Sequence, residues 1–287
     1  MDMTETPETR PLTARELILT LMDSAAADTL DASYFIAAGA LFGMDSGSIR
    51  VALARLVRNG SLLAVSRGRY GPGTRRGALH TLVRNWSRAE THLRPWTGNW
   101  LTVITAHLAR ADKTRLRGNE RALKLLGFVR VEAGFWLRPA NLNRDLEEVR
   151  DDLTGLGLDP TCICAVVDRF TPDPASHPDQ LWQTRALNER YQENIALLHE
   201  SRARLADLDE PSAARETLLI GRRVTRDILL DPMLPDELVD GRARRRMIDA
   251  MRHYDRLGKA LWRAFYTAHQ AGNHAGPRPS ASQKPAA

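Results

Sequence analysis

The chain has 287 residues and a mass of 32.1 kDa, enough for two or three domains with cores of their own; 43% hydrophobic and 26% charged residues exclude a disordered polymer. No stretch approaches the roughly 18 uncharged apolar residues of a membrane span, and two cysteines exclude a disulfide scaffold or a Cys-rich zinc module. The net charge is +6 and the pI about 9.7, and all basic residues except Lys113, Lys124, Lys259 and Lys284 are arginine.

The first ten residues are expected to be mobile. The acidic, polar start MDMTETPETRPLT lacks the basic-then-apolar order of a signal peptide, which points to the cytoplasm. Residues 11–90 then carry three helix signals. Thr13 precedes ARELILTLMDSA, Asp31 precedes ASYFIAAGALFG, and Ser46 or Ser48 precedes SIRVALARLVRNG, which stops at Asn59–Gly60. Only Gly43 to Gly47 separate the last two, which is helix-turn-helix spacing. SLLAVSRGRYGPG follows as a short apolar run, a Ser-Arg-Gly turn and Tyr70, the pattern of a two-stranded wing.

A helical step of about 100° splits the third helix into two faces. Ile49, Ala52, Leu53 and Leu56 are predicted core. Ser48, Val51, Ala54, Arg55 and Arg58 fall on the other side, with Arg50 on the flank. Small residues let such a helix enter a major groove closely, and arginine can pair with guanine edges or hold phosphate. Arg67 and Arg69 on the wing would reach adjacent backbone or the minor groove. Between Ser46 and Arg88 there are nine arginines and no Asp or Glu. A solvated basic face on a helical hairpin is the plainer alternative, and the arginine bias alone is what a GC-rich genome produces, but a one-sided field of this kind suits a polyanion.

Residues 95–172 change period. GNWLTVITAHL reads as a strand, KTRLRGNERALKLLGF as a helix stopping at Gly127, and FVRVEAGFWLRP as two strands around Ala133–Gly134. LNRDLEEVRDDLTGLGL reads as a helix with Asn141 or Asn143 as cap, and TCICAVVDRF as a strand. The order β-α-β-β-α-β is ferredoxin-like. TPDPASHPDQ (171–180) is a predicted linker. Residues 178–270 are predicted helical throughout, interrupted by the prolines of DPMLPDEL. AGNHAGPRPSASQKPAA (271–287) is a predicted disordered tail. The fold class is therefore α+β: a winged helix-turn-helix, a ferredoxin-like middle domain and a helical C-terminal domain. Long helices with apolar stripes either dimerise or cover a neighbouring domain.

SIRVALARLVRNGSLLAVSRGRYGPG resembles the winged-helix segment of the PaaX family, the phenylacetic-acid-degradation repressors. PWTGNW, RLRGNERALKLLGF and GFWLRP resemble that family's middle domain in order and spacing, and RDILLDPMLPDEL resembles its C-terminal signature, so the resemblance runs from about residue 13 to 265. It implies a homodimeric, non-enzymatic repressor of a catabolic operon, bound to a double-stranded DNA operator and released by an aryl- or acyl-CoA effector, phenylacetyl-CoA in the founding members. Carried over by position, the DNA contacts fall on Ser48, Arg50, Val51, Arg55, Arg58, Arg67 and Arg69. Where a Trp-Gly pair is expected after the C-terminal signature, this chain has VDGRARRRM. The middle domain also resembles the ferredoxin-like nuclease of CRISPR adaptation, which holds metal on an acid at the end of its first strand; here Ala106 and His107 stand in that stretch. A metal-dependent nuclease and an RNA-binding sheet are the alternatives from other classes.

Cys162 and Cys164 lie two apart on a predicted strand, where two thiols without further ligands at metal spacing read as core. His177, His269 and His274 fall in predicted loop or tail. Trp86, Trp96, Trp100, Trp136 and Trp182 are predicted core, with Trp96 and Trp100 at a domain junction. An acyl-CoA needs cationic groups beside an apolar slot, and Arg115, Arg117, Arg121, Arg222 and Arg223 are candidates. The run Arg244, Arg245, Arg246 is a predicted solvated helix face.

Overall fold

Thr13 opens its helix by a reciprocal cap: its hydroxyl accepts from the Glu16 N–H at 3.2 Å, and the Glu16 carboxylate accepts from the Thr13 N–H at 3.0 Å. The computed structural model describes residues 11–24, 27–74, 85–108 and 112–274. Helix α1 (Ala14–Ser24) buries Leu17, Ile18, Leu21 and Met22. A short strand β1 (Leu30–Asp31) leads into α2 (Ala32–Ala40), and the turn through Gly43, at φ +71°, leads into α3 (Ser46–Arg58). The hairpin of β2 (Leu62–Ser66) and β3 (Arg69–Pro72) closes an antiparallel sheet in the order β1-β3-β2. Three helices and this sheet make a winged helix-turn-helix.

Two caps differ from expectation. Asp31 is extended at the start of α2 but makes no side-chain cap bond; its carboxylate instead accepts from Gln270 at 2.8 Å and faces Arg69 Nε at 3.4 Å. The cap of α3 is Asp45 rather than Ser46 or Ser48. Its carboxylate accepts from the Ser48 N–H at 2.9 Å and from the Ser48 hydroxyl at 2.6 Å, because a carboxylate one residue earlier reaches the third N–H with one oxygen and the hydroxyl with the other.

The middle segment forms β4 (Trp100–Ile104), α4 (Lys113–Leu125), β5 (Val129–Glu132), β6 (Phe135–Pro139), α5 (Leu146–Leu156) and β7 (Ile163–Val167). The sheet order β5-β6-β4-β7, with every neighbouring pair antiparallel, is the ferredoxin-like topology. The turn between β5 and β6 passes through Gly134 at φ +79°, where a Cβ would come within 2.5 Å of the Ala106 backbone. Helix α5 is capped by Asp145 in a capping box with Glu148, not by Asn141 or Asn143. Asn141 serves another purpose: it accepts from the guanidinium of Arg138 at 2.9 Å and donates to the Met233 carbonyl at 2.8 Å. Arg138 is fully buried, held by carbonyls of Leu126 and Pro139 as well. Burial pushes its pKa down to about 9, so it stays cationic at neutral pH.

The rest is helical: α6 (Pro178–Trp182), α7 (Thr184–Arg204), α8 (Glu210–Leu229) and α9 (Gly241–His274). The predicted linker 171–180 is short ordered chain, with a 3-10 turn at Pro174–Ser176 and the start of α6. Part of the predicted tail is the end of α9; residues 1–10 and 275–287 lie outside the described residues. Two compact units result. One takes in the chain to Arg75, Asp207–Glu216 and the chain from Arg256; the other takes in Arg76–Ala206 and Thr217–Asp255. The predicted helical segment 178–270 is thus shared between them.

In the second unit the sheet is covered on both faces. Leu101, Val103 and Trp136 pack with Leu123 of α4 and Val149 and Leu153 of α5. Trp100 and Leu137 belong to a second core with Trp182, Tyr191, Val224, Ile228 and Met247. Trp96 meets Trp100 edge-on at 5.0 Å, and Trp182 stacks on Trp100 at 6.2 Å, so these rings mark the seam between sheet and helices. The basic run at 244–246 is not a uniform solvated face. Arg244 is 1% exposed; it donates to Glu90 at 3.1 Å and to the Leu234 carbonyl at 2.6 Å. Arg245 pairs with both oxygens of Asp236. The break at 231–240 folds back under α9, so its carbonyls and acids reach Arg244, which periodicity alone could not reveal.

Candidate nucleic-acid interface

Helix α3 seats its apolar stripe completely: Ile49, Leu53 and Leu56 are buried, and α1 and α2 pack against it. Gly39 of α2 makes the close approach possible, since a Cβ there would lie 2.8 Å from Ile49 Cδ1. Seating that stripe turns Ser48, Arg50, Val51, Ala54, Arg55 and Arg58 outward, all of them exposed. Val51, at 50% exposure, lies among the arginines as a small apolar contact. Arg50 donates to the Ser46 hydroxyl at 3.1 Å. Arg55 and Arg58 occupy the last turn, where the helix dipole favours cations. The hydrogen bonds from Ser48 hold the Asp45 carboxyl below its usual range, so the N-terminal end of this helix carries a fixed negative charge.

On the wing, Arg67 sits exposed in the turn with Gly68 at φ +75°. Arg69 is differently placed. It donates to Thr29 at 3.0 Å and pairs with Asp31 at 3.4 Å, so part of its charge is answered within the domain. Two exposed wing residues escaped the sequence reading: Leu63 at 57% and Val65 at 54%, alternate positions on the edge strand β2. Period-two alternation in SLLAVS was the available signal, but which side of an edge strand faces solvent is decided by the helices beneath it. Of the nine arginines between 46 and 88, Arg75, Arg76 and Arg84 lie outside the described residues.

The other candidates are dispersed. Arg115 is paired with the buried Asp159 carboxylate, while Arg117 and Arg121 are exposed on α4. Arg222 and Arg223 lie on α8, in the second unit. Cys162 is buried and Cys164 half-buried; burial pushes the Cys162 thiol up to about 11, keeping it a protonated core group. Among the described residues no three His, Cys, Asp or Glu side chains gather at metal-binding distance, and no helix is long and apolar enough to cross a membrane. The strand aromatics Trp100 and Trp136 are buried, and Phe135 packs on Phe170 at 6.1 Å. His269 is on helix α9 rather than in a loop or tail, 3.1 Å from the Ser33 hydroxyl.

No family model matches the chain, and no curated protein matches it. Among solved structures it is similar to the uncharacterized protein Rv0674 from Mycobacterium tuberculosis, with 24% identity and a TM-score of 0.60 over 90% of this chain and 99% of that one. At that identity the likeness concerns the fold.

Proposed function

We propose that this chain is a DNA-binding transcriptional regulator, a repressor of the PaaX type, acting as a homodimer on a double-stranded operator and released by a small effector. The observation that carries the reading is the outward face of α3: three arginines, a serine and two small apolar residues, in a helix-turn-helix followed by a wing with Arg67 at its tip. Arg55 and Arg58 reach guanine edges or phosphates, Val51 and Ala54 allow close approach to thymine methyls, and Arg50 and Arg67 hold the backbone. The ionised Asp45 repels phosphate at the helix N-terminus and so biases which end of α3 lies nearest the backbone. A dimer would set two such helices about 34 Å apart, or a multiple of it, on a two-fold symmetric site.

An RNA-stacking sheet would need exposed rings on the middle strands, and those strands carry covered ones. A nuclease would need acids where Ala106 and His107 stand.

The test is selection of bound fragments from random genomic duplex at near-physiological salt, followed by sequencing. A two-fold symmetric site is expected. On that site, Arg55→Ala and Arg58→Ala each weaken binding by about 1–3 kcal/mol if the contact is to a base, and reduce the salt slope by about one if it is to phosphate. Uniform, salt-labile binding to every fragment, or full affinity in both variants, would refute the reading.

A further inference from the structure

The winged-helix unit contains a cavity that DNA contacts leave unused. About 300 Å³ lies among α1, α2 and the last turns of α9, lined by Leu21, Leu30, Tyr34, Trp262, Arg263 and Tyr266. Three rings form its walls. Tyr34 and Tyr266 meet edge-to-face at 4.9 Å, and Phe42 stacks on Trp262 at 6.4 Å, fixing that wall from behind. Rings in this arrangement present edges and faces that suit a further aromatic group.

One donor in the lining has no acceptor, and a cation beside it is only partly used. Trp262 is 7% exposed, and its indole N–H is buried with no acceptor among the described residues. A buried donor in that state is a standing cost to this wall. Arg263 uses Nε on the Lys259 carbonyl at 3.1 Å and makes no ion pair among the described residues, which leaves the outer edge of its guanidinium unanswered. None of the lining residues is acidic. A cation beside an apolar slot, with no carboxylate to neutralise it, calls for an anion on an apolar body.

Size narrows the ligand further. A cavity of about 300 Å³ stands at the small end of ligand pockets. It accommodates one or two rings and not the nucleotide and pantetheine arm of a coenzyme A thioester. We propose that this cavity binds a small free aromatic carboxylic acid, its ring among Tyr34, Trp262 and Tyr266 and its carboxylate at Arg263. The site is connected to the DNA-binding helix: Tyr34 lies on α2, and Gly39 on the same helix is in contact with Ile49 of α3. An occupant that displaces Tyr34 therefore acts on the helix against which α3 is seated. This regulatory half rests on the DNA-binding reading above, and it operates only through different ligand affinities of the DNA-competent and DNA-incompetent forms.

The experiment is calorimetric titration of the full chain with cinnamate, with cinnamamide as the uncharged comparison. Saturable binding of one cinnamate per chain is expected, with cinnamamide at least tenfold weaker. Arg263→Gln should cost about tenfold in affinity. Thr267→Phe, at an exposed lining position, should abolish binding by filling the space. Absence of saturable heat into the low millimolar range, or wild-type affinity in both variants, overturns the assignment. In a parallel arm, duplex retention is measured with and without cinnamate. A change in operator affinity, mirrored by an equal change in cinnamate affinity on DNA, supports the regulatory half. Unchanged operator affinity at saturating cinnamate overturns that half. Cinnamate binding by a chain that retains no duplex refutes the regulator reading and upholds the cavity.

Discussion

Replacing Gly39 with alanine probes the joint on which the recognition helix is seated. The new Cβ would lie 2.8 Å from Ile49 Cδ1 and 2.9 Å from Ile49 Cγ1, well inside ordinary carbon contact distance. Ile49 is 0% exposed, so neither a rotamer change nor a small shift finds free space. Overpacking of this kind costs about 1–3 kcal/mol, and the gain from Gly to Ala within a helix returns about 0.5–1 kcal/mol. The net loss, centred on about 1 kcal/mol and at most about 2.5 kcal/mol, should raise the open population of the winged-helix unit by about fivefold. Because the chain forms two compact units, a single melting curve would mix them. Amide hydrogen exchange over 49–57 reads the first unit directly, with 146–156 of the second as the unperturbed control. The companion variant Ile49→Val removes Cδ1 and alone costs about 0.5–1.5 kcal/mol. Combined with Gly39→Ala it should be less destabilising than the sum by about 1 kcal/mol. Exchange as slow as wild type in Gly39→Ala, or strict additivity of the pair, would refute the packing argument.

Two further substitutions test other joints. Arg244→Ala strips a buried guanidinium from Glu90 and the Leu234 carbonyl, and leaves Asp231, whose pKa burial already pushes up, without the cation that favours its ionised form. A loss of about 3–5 kcal/mol is expected from the second unit, read by exchange over 243–251; a loss below about 1 kcal/mol would mean that water replaces the partner. Gly73→Ala drives a Cβ into the Gly60 carbonyl and within 2.5 Å of the Ser61 carbon, both of them backbone. It should destabilise the wing by about 1–3 kcal/mol and weaken duplex retention while leaving exchange of the second unit unchanged; wild-type behaviour in both assays would contradict the close approach.

Most helices and the strands of the middle sheet were legible from their own apolar patterns; β1, two residues long, and α6, which begins inside the predicted linker, carried no such pattern. The exposed face of α3 followed from a 100° step once Ile49, Leu53 and Leu56 were taken as core, and the β-α-β-β-α-β order followed from period changes and glycine turns. The caps were legible only as neighbourhoods. Asp45 and Asp145 outcompeted nearby Ser and Asn because a carboxylate accepts from two donors at once, as Asp45 does with the N–H and hydroxyl of Ser48.

What the sequence alone determined is local: where chain reverses, which residues share a helix face, and that the stretch 46–88 carries one sign of charge. Tertiary structure decided everything that joins distant segments. It brought Trp262, Tyr266 and His269 of α9 against Tyr34 and Ser33 to complete the winged-helix unit. It buried Arg244 under the 231–240 loop, paired Arg69 with Asp31, and turned Leu63 and Val65 outward. The physical reason is that periodicity reports which face of an element is apolar. It does not report which partner covers that face, so a partner charge or ring two hundred residues away leaves no trace in the local pattern.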